Sequence, residues 1–239
     1  MKKRAKCLII IPAYNEAENI ERVVNNLVSN YPQYDYVIVN DGSTDATRKI
    51  CIKNGYQVLN LPINMGIGGA VQTGYKYALA NEYNLAVQID GDGQHDIAFL
   101  EGMIRHMEEE KTDCVIGSRF VKKEGFQSSG LRRTGIQFLS ILGFLLTGVR
   151  VRDITSGYRL VNRKFIRIFA QDYPADYPEP EAMVIAAVYG GKIREYPVIM
   201  RERENGTSSI TLKRSVYYMI KVTLAMLIRR LSFGVRRQK

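Results

Sequence analysis

The 239-residue sequence contains no tryptophan and only three cysteines, and its apolar runs are short. Cys7, Cys51 and Cys114 are odd in number and far apart, which argues against a disulfide framework or a zinc site and indicates reduced core residues. The basic N-terminus is followed by only a short apolar run before Pro12, so we expect no export signal. With 46% hydrophobic residues, the chain can bury the core of one α/β domain.

Acidic residues are absent from the end of the chain, where basic residues are frequent. Residues 210–239 contain eight Lys or Arg and no Asp or Glu. The apolar stretch 216–228 is interrupted by Lys221 and followed by two arginines, a pattern typical of an interfacial amphipathic helix on anionic lipid. A second stretch, 136–149, has about 14 residues against the roughly 20 that span a bilayer. We expect contact with a membrane surface; a core helix with a subunit contact is the alternative. Nucleic acid is disfavoured because these cations alternate with aliphatic residues.

Four short apolar runs alternate with helical patterns in the first 90 residues. The runs are Cys7–Ile11, Tyr36–Val39, Gln57–Leu61 and Leu85–Ile89. Polar and glycine residues follow each run, which predicts an open parallel sheet with a ligand at its carboxyl edge. Residues from Asn15 onward predict the first helix, and we expect Ser43 or Thr44 to cap the second.

Asp90 and Asp92 follow the fourth run and are separated by one glycine. Both carboxylates can point the same way, and Gly91 and Gly93 let the chain bend around them. Such a pair of hard oxygen ligands suits Mg²⁺ or Mn²⁺ that takes its other ligands from a diphosphate. The alternative is an Asp/Gly turn that only closes the strand.

The segment from Gly66 to Ala70 is a glycine-rich helix entry that partly fits a dinucleotide fingerprint. The third glycine of that fingerprint would fall at Val71, and only Asp90 follows at about the right distance. A dehydrogenase is therefore disfavoured.

A series of short motifs in one order makes the chain similar to a known family. They are Pro12 to Glu16, Asn40 to Asp45, Asn64 to Gly66, Asp90 to His95, Gly117 to Arg119, Asp153 to Arg159, Tyr177 to Glu181 and Arg203 to Ser208. Together they resemble family-2 glycosyltransferases, most closely the polyprenyl-phosphate, dolichol-phosphate mannosyltransferase-like branch. The resemblance implies an α/β, GT-A-type domain, here 1–210, whose mostly parallel nucleotide-binding sheet is flanked by helices. We expect a membrane-proximal helix at about 131–149 and a basic amphipathic helix and tail at 211–239.

The resemblance also implies roles for individual residues. The nucleotide-binding residues are Pro12, Tyr14, Glu16, Asp41, Gly66 and Asp90. The metal ligands are Asp90, Asp92 and Gln94. We expect Asp92, Arg119 and Arg133 to be the catalytic residues. The metal, Mg²⁺ or Mn²⁺, would neutralise charge growing on the departing nucleotide.

The absence of tryptophan also bears on the acceptor. Relatives that attack with a sugar hydroxyl often carry a Gln-x-x-Arg-Trp segment after their carboxylate base, and this chain lacks it. A phosphate monoester is already largely a dianion at neutral pH and needs cations rather than a base. The candidate phosphate ligands are Arg119, Arg132, Arg133, Arg203 and Ser208. We expect Glu179 and Glu181 to position the sugar or a loop.

These inferences predict a metal-dependent, inverting transfer of a hexose or N-acetylhexosamine from a nucleotide diphosphate sugar to polyprenyl phosphate. We expect UDP-glucose or UDP-N-acetylglucosamine as donor, undecaprenyl phosphate as acceptor, and a peripheral enzyme of envelope polysaccharide assembly on the cytoplasmic face of the plasma membrane. A small membrane-protein partner and a homo-oligomer stay open. The alternatives are transfer to a saccharide or glycolipid hydroxyl, with Glu179 or Glu181 as base, and a non-catalytic nucleotide-sugar-binding scaffold.

Overall fold

The computed structural model describes residues 5–122, 124, 130–200 and 212–236, and these residues form a seven-stranded sheet. The strands are β1 (Cys7–Ala13), β2 (Asp35–Asn40), β3 (Val58–Asn60), β4 (Leu85–Gln88), β5 (Cys114–Ser118), β6 (Arg159–Asn162) and β7 (Ile193–Pro197). Their order is β3-β2-β1-β4-β6-β5-β7. All neighbours are parallel except β6, which is antiparallel to both β4 and β5. The predicted α/β fold with a mostly parallel sheet is confirmed.

In the described chain, seven α-helices connect these strands and an eighth follows β7. They are α1 (Ile20–Asn30), α2 (Thr47–Lys53), α3 (Gly66–Ala80), α4 (Leu100–Glu110), α5 (Gly130–Thr147), α6 (Arg163–Gln171), α7 (Pro178–Val188) and α8 (Leu212–Arg236). Every residue of β1 is buried, as expected of an apolar run at the centre of a parallel sheet. Residues from α1, α2 and α4 fill the core on one face of the sheet. Those from α3, α5, α6, α7 and α8 fill it on the other.

The predicted start of α1 and the predicted cap of α2 were wrong. The first helix begins at Ile20, and Asn15 itself is not helical, since it adopts a left-handed backbone conformation with φ of 55°. Ser43 does not cap α2; its Oγ atom accepts a hydrogen bond from the Asn15 N–H. Asn15 in turn accepts one from the Thr44 N–H, and Thr47 Oγ1 accepts one from the Glu16 N–H. Asn15 and Ser43 therefore bind the two loops together, while Asp45 Oδ1 accepts a hydrogen bond from the N–H of Thr47, the first residue of α2.

The two apolar stretches predicted at the membrane side lie in α5 and α8, which pack against each other and against α7. Val222 and Met226 of α8 are buried in the core. The outer sides of both helices expose large apolar residues, which we call the apolar outer faces. Those of α5 are Phe138, Ile141, Phe144 and Leu145, and those of α8 are Val216, Tyr217, Ile220, Leu224, Ile228 and Leu231. Within the described ranges, no helix is long and apolar enough to cross a bilayer.

Candidate active site

An acidic cavity of about 480 Å³ lies at the carboxyl edge of β1, β2 and β4. Five carboxylate side chains line it: Glu16, Asp41, Asp90, Asp92 and Glu179. No lysine or arginine of the described chain lines this cavity. Pro12, Tyr14 and Gly66 complete the wall, so every predicted nucleotide-binding residue reaches one space. Like charges at this density repel an anionic ligand unless a cation enters with it.

The turn after β4 fixes the two predicted metal carboxylates. Asp92 is only 6% exposed, and its Oδ1 atom accepts a hydrogen bond from the Gln94 N–H at 3.0 Å. Gly93 adopts φ of 81°, a conformation that favours glycine and reverses the chain at this point. The Gln88 side-chain amide donates to Asp90 Oδ1 at 3.4 Å. Both carboxylates therefore reach the cavity from a tight turn.

The glycine-rich start of α3 makes room for another part of the chain. A Cβ atom on Gly68 would lie 1.9 Å from the Pro174 carbonyl oxygen, and the Gly68 N–H donates to the Ala175 carbonyl at 3.0 Å. The glycine therefore serves the close approach of the segment before α7. Asp41 Oδ1 accepts a hydrogen bond from the Met65 N–H at 2.7 Å and so ties this helix entry to the end of β2.

Glu179 lies in the first turn of α7 and lines the acidic cavity together with Asp90. Burial raises the pKa of the Glu179 carboxyl to about 7, and the negative charge of Asp90 adds to the rise. Arg159, fully buried in β6, opposes it; its guanidinium donates to the carbonyls of Ser156 and Ile154. A carboxyl whose pKa lies near neutral pH can donate a hydrogen bond to a sugar hydroxyl when it is protonated and accept one when it is ionised.

Three arginines gather beside the acidic cavity, and we call Arg119, Arg132 and Arg133 the arginine cluster. The guanidinium groups of Arg119 and Arg133 lie 5.3 and 5.6 Å from the centre of the Phe120 ring. The pKa of Arg132 is lowered, first by desolvation and then by the positive charge of Arg119. Asp153 and Thr155 accept hydrogen bonds from Arg119, and two residues further on a Cβ atom at Gly157 would lie 3.3 Å from Asp90 Oδ1, so one short loop joins the arginine cluster to the acidic cavity.

The family model described as glycosyl transferase family 2 matches residues 8–169, which hold the acidic cavity apart from Glu179. The chain belongs to glycosyl transferase family 2. It is 33% identical over 210 residues, or 80% of this chain and 83% of the relative, to the UDP-N-acetylglucosamine:dolichyl-phosphate N-acetylglucosaminyltransferase of Methanococcus voltae. It is 30% identical over 216 residues, 86% and 88% of the two chains, to the undecaprenyl-phosphate mannosyltransferase of Micrococcus luteus.

This family-2 glycosyltransferase also shares its fold with solved structures. The glucosyl-3-phosphoglycerate synthase of Mycobacterium tuberculosis, solved with Mn²⁺, UDP-glucose and phosphoglyceric acid, superimposes with a TM-score of 0.71. The match covers 95% of this chain and 80% of that one at 19% identity. The structural likeness and the family membership agree on an α/β glycosyltransferase fold.

The remaining predicted site residues fall in different places in this family-2 glycosyltransferase. Glu181 lies outside the acidic cavity and pairs with Arg229 of α8 at 2.8 Å. Arg119 is 7% exposed, and its guanidinium is held by Asp153. The predicted ligands Arg203 and Ser208 lie outside the described residues.

Two residues that support the site in this glycosyltransferase, Asp153 and His95, could not be assigned from the sequence motifs alone. Asp153 holds Arg119, and His95 contacts Asp90. Both residues belong to motifs on which the family resemblance rests, and this membership was the one signal in the sequence that they serve the site. The motifs do not indicate which side chains meet.

Proposed function

We propose that the enzyme transfers a hexose or N-acetylhexosamine from a UDP-sugar to polyprenyl phosphate, with inversion at the anomeric carbon and with Mg²⁺ or Mn²⁺. The observation that carries this proposal is the juxtaposition of an acidic cavity with an arginine cluster. The cavity suits a nucleotide diphosphate that arrives with a cation, whereas the cluster suits an acceptor that is itself an anion.

The residues of the cavity fit a divalent metal. No described group of three or more His, Cys, Asp and Glu side chains could hold a metal by itself. Asp90 and Asp92 both line the acidic cavity and would supply two oxygen ligands of an open site, with Gln94 as the third predicted ligand. The bound metal would neutralise the diphosphate as the sugar bond breaks. The Mn²⁺ and UDP-glucose of the M. tuberculosis synthase support this kind of site.

The arginine cluster supplies the acceptor side of the proposal. A phosphate monoester is mostly dianionic at neutral pH, so its oxygen can attack the anomeric carbon without a general base. Arg132 and Arg133, next to the Arg119 held by Asp153, would bind its oxygens and orient the attack opposite the leaving diphosphate. The Methanococcus and Micrococcus relatives are named for polyprenyl-phosphate acceptors, which supports the same acceptor class here.

The apolar outer faces of α5 and α8 support a membrane location. A polyprenyl chain stays in the bilayer, so the arginine cluster must approach the headgroup layer. Exposed apolar residues beside basic ones, such as Leu145 and Arg230, are typical of helices that lie in the interface. We place the enzyme as a peripheral protein on the cytoplasmic face, where nucleotide sugars are made.

A transfer assay tests the reaction directly. Purified protein is incubated with Mn²⁺ or Mg²⁺, undecaprenyl phosphate and one of several radiolabelled UDP- and GDP-sugars, and label is counted in the organic phase. We expect label with a UDP-sugar, a loss of at least about a hundredfold in Asp92→Asn, and little change in Asp96→Asn, whose side chain caps the turn at 97–99. Label that instead requires a saccharide acceptor and disappears in Glu179→Gln would favour the hydroxyl-acceptor alternative.

A further inference from the structure

His95 is buried directly against Asp90, and no role follows for it from the proposed transfer alone. Its side chain is 3% exposed, compared with 36% for that of Asp90. The imidazole stacks on the Tyr158 ring with centroids 5.1 Å apart and planes 27° from parallel. Its backbone forms an isolated β-bridge to Met200. The ring is therefore held in one orientation by its surroundings.

The two ring nitrogens of His95 contact different parts of Asp90. The Nδ1 atom accepts a hydrogen bond from the Asp90 N–H at 3.0 Å. An accepting nitrogen carries no proton, so the proton of the neutral ring is on Nε2. The Nε2 atom lies 3.7 Å from Asp90 Oδ2, which is too long for a direct hydrogen bond but places the N–H dipole beside the carboxylate.

The ring that His95 stacks on is itself fixed. Tyr158 is fully buried, and its hydroxyl donates to the Asp96 carbonyl at 3.1 Å, one residue beyond His95. Tyr158 therefore holds the turn at two points, through the ring of His95 and through the backbone of Asp96. Gln88 donates to Asp90 Oδ1 from another side. The Asp90 carboxylate thus has a neighbour at each oxygen.

We propose that His95 is a positioning residue: its Nδ1 atom fixes the Asp90 backbone and its Nε2–H sets the direction of the Asp90 carboxylate toward the metal position. This inference rests on the proposed metal site of Asp90 and Asp92. Partners that orient a ligating carboxylate typically change metal affinity or activity by about 10- to 100-fold when removed.

The hydrogen-bond arrangement can be tested without metal or substrate. The chain contains two histidines, His95 and His106, so a sample labelled with ¹⁵N-histidine gives two imidazole spin systems. The spectrum of His106→Phe assigns them. We expect His95 with a protonated Nε2 and an unprotonated Nδ1. A proton on Nδ1 would overturn the proposal, because that atom could then not accept from Asp90.

Three variants test the effect on the metal, measured as loss of the free Mn²⁺ signal by electron paramagnetic resonance. His95→Phe keeps a ring to stack on Tyr158 but has no nitrogen, and we expect Mn²⁺ to bind about 10- to 100-fold more weakly. His95→Asn places an amide oxygen where Nδ1 was and should recover part of that loss. His106→Phe, a change on α4 against Tyr196, should bind like the unmodified protein.

The outcomes separate this proposal from the proposed function. Equal Mn²⁺ affinity in His95→Phe and the unmodified protein, with circular dichroism unchanged, would show that His95 only packs. An unmodified protein that binds no Mn²⁺ would overturn both the metal site and this role. A failure to label the lipid while Mn²⁺ binding still depends on His95 would count against the proposed acceptor and leave the role of His95 standing.

Discussion

Asp153 accepts three hydrogen bonds from Arg119, at 3.0 Å from its N–H, 2.7 Å from Nε and 2.6 Å from Nη2. Asp153 is fully buried and Arg119 is 7% exposed. A buried guanidinium with its fork on a carboxylate is held in one plane, which a solvated arginine is not. In the proposed acceptor site, Arg119 is therefore the rigid member of the arginine cluster.

We expect Asp153→Asn to lower the free energy of unfolding by about 3 to 5 kcal/mol, because it leaves the Arg119 charge buried without its partner. The double variant Arg119→Met with Asp153→Leu should lose less than the sum of its single changes. Urea unfolding measures both. As a control, Lys6→Met removes an exposed pair with Asp35 and should cost less than about 1 kcal/mol. Additive losses at 119 and 153 would contradict a coupled pair.

Gly68→Ala should destabilise the protein by about 2 to 4 kcal/mol, because the added methyl would meet the carbonyls of Pro174 and Ala175. Gly130→Ala is the matched control: among the described residues, a Cβ atom at this first residue of α5 would have no neighbour within 4 Å. It should be neutral or slightly stabilising. Thermal and urea unfolding compare the two, and equal effects would mean that the segment before α7 does not pack closely on α3.

Leu145→Glu and Ile228→Glu should weaken binding to anionic lipid vesicles by about tenfold or more each, because a charge replaces an apolar side chain that enters the interface. These residues are 73% and 61% exposed in the protein, so folding should be little affected. Ile52→Glu on α2, at 59% exposure, is the control and should float with vesicles like the unmodified protein. Loss of flotation in all three variants alike would argue against the apolar outer faces as the docking surface.

The titration of Glu179 should appear in the pH dependence of stability in EDTA. Its pKa is about 7 in the folded chain against 4.5 as the ordinary value. Between these pH values the folded protein binds more protons than the unfolded one. The contribution of Glu179 to the free energy of unfolding is therefore most favourable below pH 4.5 and is lost as the pH rises to about 7. The loss is on the order of 3 kcal/mol. Glu179→Gln should lack this decline; parallel curves for the two proteins would refute the assignment.

The amino-acid sequence was sufficient to predict the part of the fold that depends on local sequence patterns. Buried strands such as β1 and β4 are apolar along their whole length, and the polar residues that follow them lie at one edge of the sheet by geometry alone. Asp90, Asp92 and Asp41 could therefore be assigned to one cavity from their positions after the predicted strands. The predicted cap of α2 was wrong because the Ser43 hydroxyl can bind either the start of a helix or a neighbouring loop, and in the structure it accepts a hydrogen bond from the Asn15 N–H.

Pairings across long sequence separations could not be predicted in this way. Arg119 and Asp153 are charged, and from residue type alone each is expected at the surface. The direction of β6 instead brings them together in the core. Arg159 is an arginine in a strand, and nothing in the pattern indicates that its charge is fully buried. Such positions depend on the packing of several elements at once, which periodicity does not encode.

The two halves of the site come from different stretches of the sequence, and the antiparallel strand β6 brings them together. Except for Glu179, the acidic cavity is built from residues 12–92, whereas the arginine cluster and its support come from residues 119–159. Under the proposed roles, a chimaera that keeps the first segment and takes the arginine cluster from a relative, with Tyr158 retained against His95, would change the acceptor anion and leave the donor carboxylates in place. In the proposed site, new acceptors could therefore arise while the donor carboxylates stay the same.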